Sequence, residues 1–271
     1  MNIRAIFVLT LFLGWALSAC APQQQKNTTQ EQDSKKTVDE KETKPLSQAQ
    51  KIVNATIAQH GGDLYKKAKV SFDFRKIHYD YERNGGKYQY ERSFKHDSLG
   101  QVHDVLTNDG FVRKVEGKKV EVTKEWANKY SNSINSVVYF MFLPFNLNDG
   151  AVIKKYMGET TIKGQPYHQI QVTFKQEGGG EDHSDVYMYW MHKEKNTMDY
   201  FAYSYEVNEG GVRFRAAYNP RKIEGITFLD YENYKAEKGV DLKELPQLFE
   251  KEGLKLLSKI ENKNIKVSLL K

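Results

Sequence analysis

Val70-Ser71-Phe72-Asp73-Phe74-Arg75 alternates apolar with polar or charged side chains, and after Asn84-Gly85-Gly86 the alternation returns in Tyr88, Tyr90, Arg92 and Phe94. Successive side chains of a strand point to opposite faces, so a period of two marks strands with one face turned to a core. Asn-Gly-Gly supplies the positive backbone angles that a tight hairpin turn demands. The same arrangement continues downstream. Asn108-Asp109-Gly110 and Glu116-Gly117-Lys118 punctuate the runs Phe111 to Val115 and Val120 to Val122. Lys163-Gly164-Gln165 separates Ile153 to Ile162 from Tyr167 to Phe174, and Val186 to Met191 is followed by Met198 to Tyr205. Asn208-Glu209-Gly210-Gly211 leads into Val212 to Tyr218, and Ile226 to Tyr234 adds a further run. About ten strands joined by turns, without strand-helix alternation, predict an α+β domain that is mainly antiparallel β and argue against a parallel α/β sheet.

Three segments break this pattern. Ser47 is placed to cap a helix running to Gln59, with Ala49, Ile52, Val53, Thr56 and Ile57 on one side, and His60-Gly61-Gly62 closes it. His60 there reads as an ordinary helix-end residue rather than a catalytic one. From Lys124 to Phe145 the chain starts amphipathic and becomes apolar all round before Pro144, which predicts a helix buried at its far end. Asp241 to Leu257 carries a second leucine-rich helix, and a last strand is expected over Ile260 to Leu269. A long twisted antiparallel sheet with few helices closes into a barrel or curls around something apolar. The greasy stretch Val137 to Phe145 favours the second solution: a strongly curled sheet, or open half-barrel, whose concave face is covered by helices.

The amino terminus is of another kind. Arg4 precedes an apolar run, Ala5 to Leu17, too short to span a bilayer, and Leu17-Ser18-Ala19-Cys20 follows. That ending resembles the lipobox of bacterial lipoproteins. The resemblance implies a signal peptide over residues 1–19 and a lipidated Cys20 that anchors the chain to a membrane. Ala21 in place of an aspartate then implies outer-membrane rather than inner-membrane sorting, and a periplasmic or surface-facing position in the cell envelope. Residues 20–45 are almost wholly polar and read as a disordered tether, leaving residues 46–271 as a single domain. Cys20 is the only cysteine, so no disulfide or thiolate metal site contributes to the fold. The formal charge of +6 comes from 41 basic and 35 acidic residues without a consecutive basic block, which argues against nucleic acid as a partner.

The order of helix, meander, mid-chain helix ending at Leu143-Pro144 and further strands resembles the LolA/LolB fold of lipoprotein carriers. More closely, the chain is similar to a family of Bacteroidota envelope lipoproteins. The stretches that carry this likeness are His60-Gly61-Gly62, Val70 to Arg75, Asn135 to Phe140, Leu143-Pro144, Tyr187-Met188-Tyr189-Trp190 and Arg213-Phe214-Arg215. The carrier resemblance implies a lipid or a lipoprotein's acyl chains as ligand, and the family resemblance supplies no activity.

Two sets of residues are candidates for a site. The first is apolar with a cationic edge. Val137, Tyr139, Phe140 and Phe142 would form a lid or plug, and Tyr187, Tyr189, Trp190, Tyr203 and Tyr205 would line a cavity. Arg213 and Arg215, with Arg221, would meet a lipid phosphate at its mouth. The second set is Asp182, His183 and Asp185 after Gly178-Gly179-Gly180, whose carboxylates and imidazole suit a divalent ion if His168 or His192 joins them. A solvated hairpin loop is the simpler explanation of that cluster. No GxSxG elbow, HExxH pair or phosphate-binding loop is present. Three readings stand: a non-catalytic envelope lipoprotein holding an apolar ligand, a metal-dependent hydrolase, and a structural or assembly lipoprotein with a filled core. An empty apolar cavity distinguishes the first from the third.

Overall fold

The computed structural model describes residues 45–177, 184–206 and 209–271. The expected signal peptide, Cys20 and the tether as far as residue 44, together with Asp182 and His183, lie outside the described residues. The alternation around Val70 produces a meander of β1 (Lys67–Phe74), β2 (Ile77–Asn84), β3 (Lys87–His96), β4 (Gly100–Thr107), β5 (Gly110–Val115) and β6 (Lys118–Val120). A second meander runs through β7 (Val152–Ile162), β8 (Gln165–Phe174), β9 (Val186–His192), β10 (Met198–Tyr205), β11 (Gly211–Ile223) and β12 (Ile226–Ala236). Two strands end the chain: β13 (Lys255–Ile260) pairs with β12, and β14 (Asn262–Leu269) pairs with β1.

The strands therefore form two seven-stranded antiparallel sheets, ordered β14-β1-β2-β3-β4-β5-β6 and β13-β12-β11-β10-β9-β8-β7. The end strands of each sheet do not pair with one another, so both sheets are open. This corrects the expectation of one strongly curled sheet or half-barrel. It also corrects the expected last strand, because Ile260 to Leu269 is not one element. The chain changes sheets between Ile260 and Asn262, with Glu261 alone between the strands. The buried Asp230 carboxylate supports the crossing. It accepts from the Asn262 backbone N–H (3.0 Å), Arg221 Nη2 (2.6 Å) and Asn219 Nδ2 (2.8 Å), so the backbone donor leaving the ladder is satisfied.

Helix α1 (Gln48–His60) is capped by Ser47, whose hydroxyl accepts from the Gln50 N–H, and it buries Ala49, Val53, Thr56, Ile57 and His60. Helix α2 (Lys124–Met141) is capped by Thr123 and buries Ile134, Val138 and Met141. It stops three residues before Pro144, and the rest of the apolar run leaves the helix. Phe142 to Leu147 pass through a turn and a short 3-10 helix and are all buried. The run is thus anchored in the core. Helix α3 (Leu245–Glu250) is shorter than the leucines predicted, and Leu256 and Leu257 sit on β13 with exposed side chains.

One core joins the apolar faces of both sheets to α1, α2 and the Phe142 turn, through Val70, Phe72, Tyr79, Tyr81, Ile170, Tyr189, Phe201 and Phe228 among others. A second lies on the opposite face of the β7–β13 sheet, where Met188, Trp190 and Phe214 meet Leu242, Leu245 and Leu254. That sheet is therefore buried on both faces, which is why Val186 to His192 reads as a continuous apolar run instead of alternating. The β1–β6 sheet exposes its other face, with Lys67 and Lys69 open to water.

Candidate ligand site

A cavity of about 240 Å³ opens where the C-terminal half of α2 crosses the β10–β13 edge of the second sheet. Helix α2 contributes Ser136, Val137, Phe140 and Met141; the sheet contributes Tyr203, Arg215, Tyr231, Asn233, Ser258 and Ile260; Phe74, Arg75 and Asn262 come from the ends of β1 and β14. Register explains how distant residues meet. Phe201 lies opposite Arg215, Arg215 opposite Asn233, and Asn233 opposite Ser258, so one row crosses four strands on one face.

Arg215 is the centre of this site. Its side chain is 8% exposed, and its guanidinium carbon lies 4.2 Å from the Phe140 ring centroid, 5.3 Å from Phe201 and 5.4 Å from Tyr203. Such an aromatic box stabilises a cation that burial would otherwise penalise. Nη2 donates to the Tyr203 hydroxyl at 3.0 Å, whereas the buried Nε has no partner. Asn233 Oδ1 is likewise buried and unpartnered. Burial pushes the Tyr231 hydroxyl pKa well up, and the Arg215 charge pulls it the other way. No aspartate or glutamate is among the residues lining the cavity.

Of the residues expected from sequence, Val137, Phe140, Tyr203 and Arg215 come together here. Tyr139, Tyr187 and Tyr189 stand beside them as packing. The Tyr139 and Tyr189 hydroxyls are 3.1 Å apart, and Tyr187 stacks on Tyr203 at 5.2 Å. Burial raises the pKa of both Tyr139 and Tyr189, keeping the hydroxyls neutral. Five of the expected residues stand elsewhere. Phe142 is core, stacked 4.0 Å from Tyr81 and edge-on to Phe72 and Phe228. Trp190 is fully buried against Phe214 on the opposite face, since one residue along a strand reverses the side chain. Tyr205 and Arg213 lie beyond the cavity at the β10–β11 hairpin, with Arg213 5.1 Å from the Tyr205 ring centroid. Arg221 serves Asp230 at the sheet crossing.

The acidic cluster is represented among the described residues only by Asp185, which is buried. Its suggested histidine partners are committed elsewhere. His192 Nδ1 accepts the Glu194 and Lys195 N–H groups (3.2 Å each), and Nε2 faces Gln165 Oε1 at 3.2 Å. Tyr167 is the cross-strand partner of His192, so the neighbouring His168 is on the other face of the sheet. The two histidines cannot share an ion. No group of three His, Cys, Asp or Glu side chains suited to a metal occurs among the described residues.

Arg75, Asn233, Ser258 and Asn262 were not singled out by the sequence. A polar residue at an inward position, such as Asn233 two residues after Tyr231, is the available signal, and it becomes informative only with the strand register.

Across residues 29–262 the chain belongs to DUF6503, a family of unknown function. No curated protein matches this sequence. Among solved structures it is similar to a DUF1329 family protein from Desulfovibrio piger, with 11% identity and a TM-score of 0.47 over 82% of this chain and 93% of that one. It is similar to a LolA superfamily protein from Nitrosomonas europaea, with 8% identity and a TM-score of 0.47 over 83% of this chain and 94% of the other. A third likeness is to the lipoprotein LppX of Mycobacterium tuberculosis, with 11% identity and a TM-score of 0.27 over 58% of this chain and 89% of that one.

Proposed function

We propose that this chain is an envelope lipoprotein, anchored in the outer membrane through Cys20, that binds an amphiphilic or apolar ligand without catalysis in the cavity beneath α2. The observation that carries the reading is the cavity itself, where Val137, Phe140 and Ile260 offer apolar surface beside Arg215 and Asn233. A core closed throughout would serve a purely structural role better, because buried polar atoms left without partners cost stability. Arg215 Nε and Asn233 Oδ1, on two residues that line the cavity, are such atoms. The lipobox ending Leu17-Ser18-Ala19-Cys20 supports the anchor.

The size of the space limits the occupant. A cavity of about 150 Å³ holds benzene, so by proportion 240 Å³ holds roughly ten non-hydrogen atoms. That corresponds to a short chain or one segment of a lipid, rather than a whole diacyl lipid. Native mass spectrometry with organic extraction on gently purified full-length protein tests the reading. A stoichiometric small lipid or amphiphile is expected, and it should be absent from Val137→Trp, which fills the cavity. Protein that emerges empty and takes up no added amphiphile overturns it.

A further inference from the structure

Two rows of side chains on the inner face of the second sheet carry positive charge. The first is the cavity row, in which Arg215 stands opposite Asn233 and Asn233 opposite Ser258. The second is one step nearer the strand ends. There Arg213 lies opposite Lys235, and Lys235 opposite Lys255. Like charges placed directly opposite one another across strands are destabilising. An arrangement that costs folding energy and leads to a buried guanidinium with an unpartnered Nε is suited to a ligand that brings the missing negative charge. Arg75, from the other sheet, adds a second guanidinium to the cavity lining, which contains no carboxylate.

We infer that the cavity takes an organic oxyanion of about ten non-hydrogen atoms, its carboxylate or phosphate group on Arg215 and its hydrocarbon part against Val137, Phe140 and Ile260. This rests on the cavity being the ligand site, and it adds the chemical class of the ligand. Arg215 lines the cavity; the Tyr203 hydroxyl accepts from its Nη2 and holds the guanidinium plane, and Nε is buried without a protein partner. A guanidinium fixed in this way binds the oxygens of a carboxylate or phosphate through parallel N–H donors. Ser258, whose hydroxyl oxygen accepts from Asn233 Nδ2 at 3.4 Å, lies on the same row with its O–H left to donate to a remaining oxygen. The basic row at Arg213, Lys235 and Lys255, next along the same strands, raises the local concentration of anions on this face.

The test is calorimetric titration of the full chain at pH 7 with octanoate, octyl phosphate and octan-1-ol, three probes sharing one hydrocarbon chain. At least tenfold tighter binding of one of the anions than of the alcohol is expected, and the preferred anion identifies the headgroup. Arg215→Gln should remove the preference, and Val137→Trp should abolish binding of all three. Octanol binding as tightly as both anions overturns the inference while leaving the cavity as a ligand site. Binding of none of the probes removes both. Anion binding unchanged in both variants places the anion elsewhere and also overturns it. The comparison of probes on the unmodified protein does not depend on the Arg215 variant folding normally.

Discussion

His60 Nε2 accepts the Met198 backbone N–H at 3.1 Å, joining the end of α1 to the start of β10 across 138 residues of sequence. An imidazole can accept there only while neutral. Burial lowers the His60 pKa from 6.5 to about 4, against an opposing pull from Asp199. The unfolded chain therefore binds a proton at a higher pH than the folded one. Stability from this residue is fully present above about pH 6.5 and is lost as pH falls towards 4, by about 3 kcal/mol in all. The pKa of His168 is also lowered by burial, and its contribution has the same sign. Denaturant titrations at pH 7 and pH 4.5 should show this loss, and His60→Gln should keep only the smaller dependence that His168 contributes. An equal pH dependence in the variant would assign the effect elsewhere.

A buried charge cluster fixes α2 to the first sheet. Asp104, with no exposed side-chain surface, accepts from Arg92 Nε at 2.8 Å and from Arg113 Nε and Nη2 at 2.6 and 2.8 Å. Arg92 Nη1 donates to Ser133 of α2, and Arg113 lies 3.6 Å from the Tyr130 ring centroid. Asp104→Asn leaves two guanidiniums without their counter-charge. A loss of about 3–5 kcal/mol is expected from chemical denaturation, with a smaller loss for Ser133→Ala.

The two aromatic residues on either side of Met141 should behave differently. Phe142→Ala empties a site packed by Tyr81, Phe72 and Phe228 and should cost about 3–5 kcal/mol. Phe140→Ala removes a cavity wall and the ring nearest Arg215, so it should alter ligand affinity more than stability. Trp126, 49% exposed near the start of α2, should tolerate alanine at a cost below about 1 kcal/mol. Thermal melts of the three variants, each with and without octanoate, provide the comparison.

Gly61 has φ 144°, and a Cβ there would sit 3.1 Å from Tyr65 Cε2 and 3.2 Å from the Ile226 Cα. Both the backbone angle and the space oppose a side chain. Gly61→Ala should destabilise by about 1–3 kcal/mol, while Gly85→Ala, in open space, should cost less despite its positive φ.

Much of the architecture was legible because its signals are local. Alternation and Asn-Gly turns located most of the strands, and Ser47 with Gly61 bounded α1 closely. Strand β2 was not recognised, because its turn from β1 is Arg75-Lys76, where Arg75 takes a positive φ without a glycine. The boundary between β13 and β14 was hidden for a similar reason: Ile260-Glu261-Asn262 has no turn residue, and the change of sheet depends on the distant Asp230. In the site, the aromatics and Arg215 stood out by type. Assigning Trp190 to the same wall as Tyr187 and Tyr189 ignored strand parity. The row through Asn233 and Ser258 is a product of register, which single-strand patterns do not contain.

The pairing of β1 with β14 has a consequence for biosynthesis. Ala68 lies opposite Leu269, and Asp73 opposite Lys263, so one edge of β1 has no partner until the last strand has been made and delivered. Strands β1 to β6 can zip up early as local hairpins, but they must wait with an open edge while the whole second meander emerges. An unpaired edge is a template for other chains. Folding of this chain therefore depends on β14 reaching β1 before a neighbouring molecule takes that place.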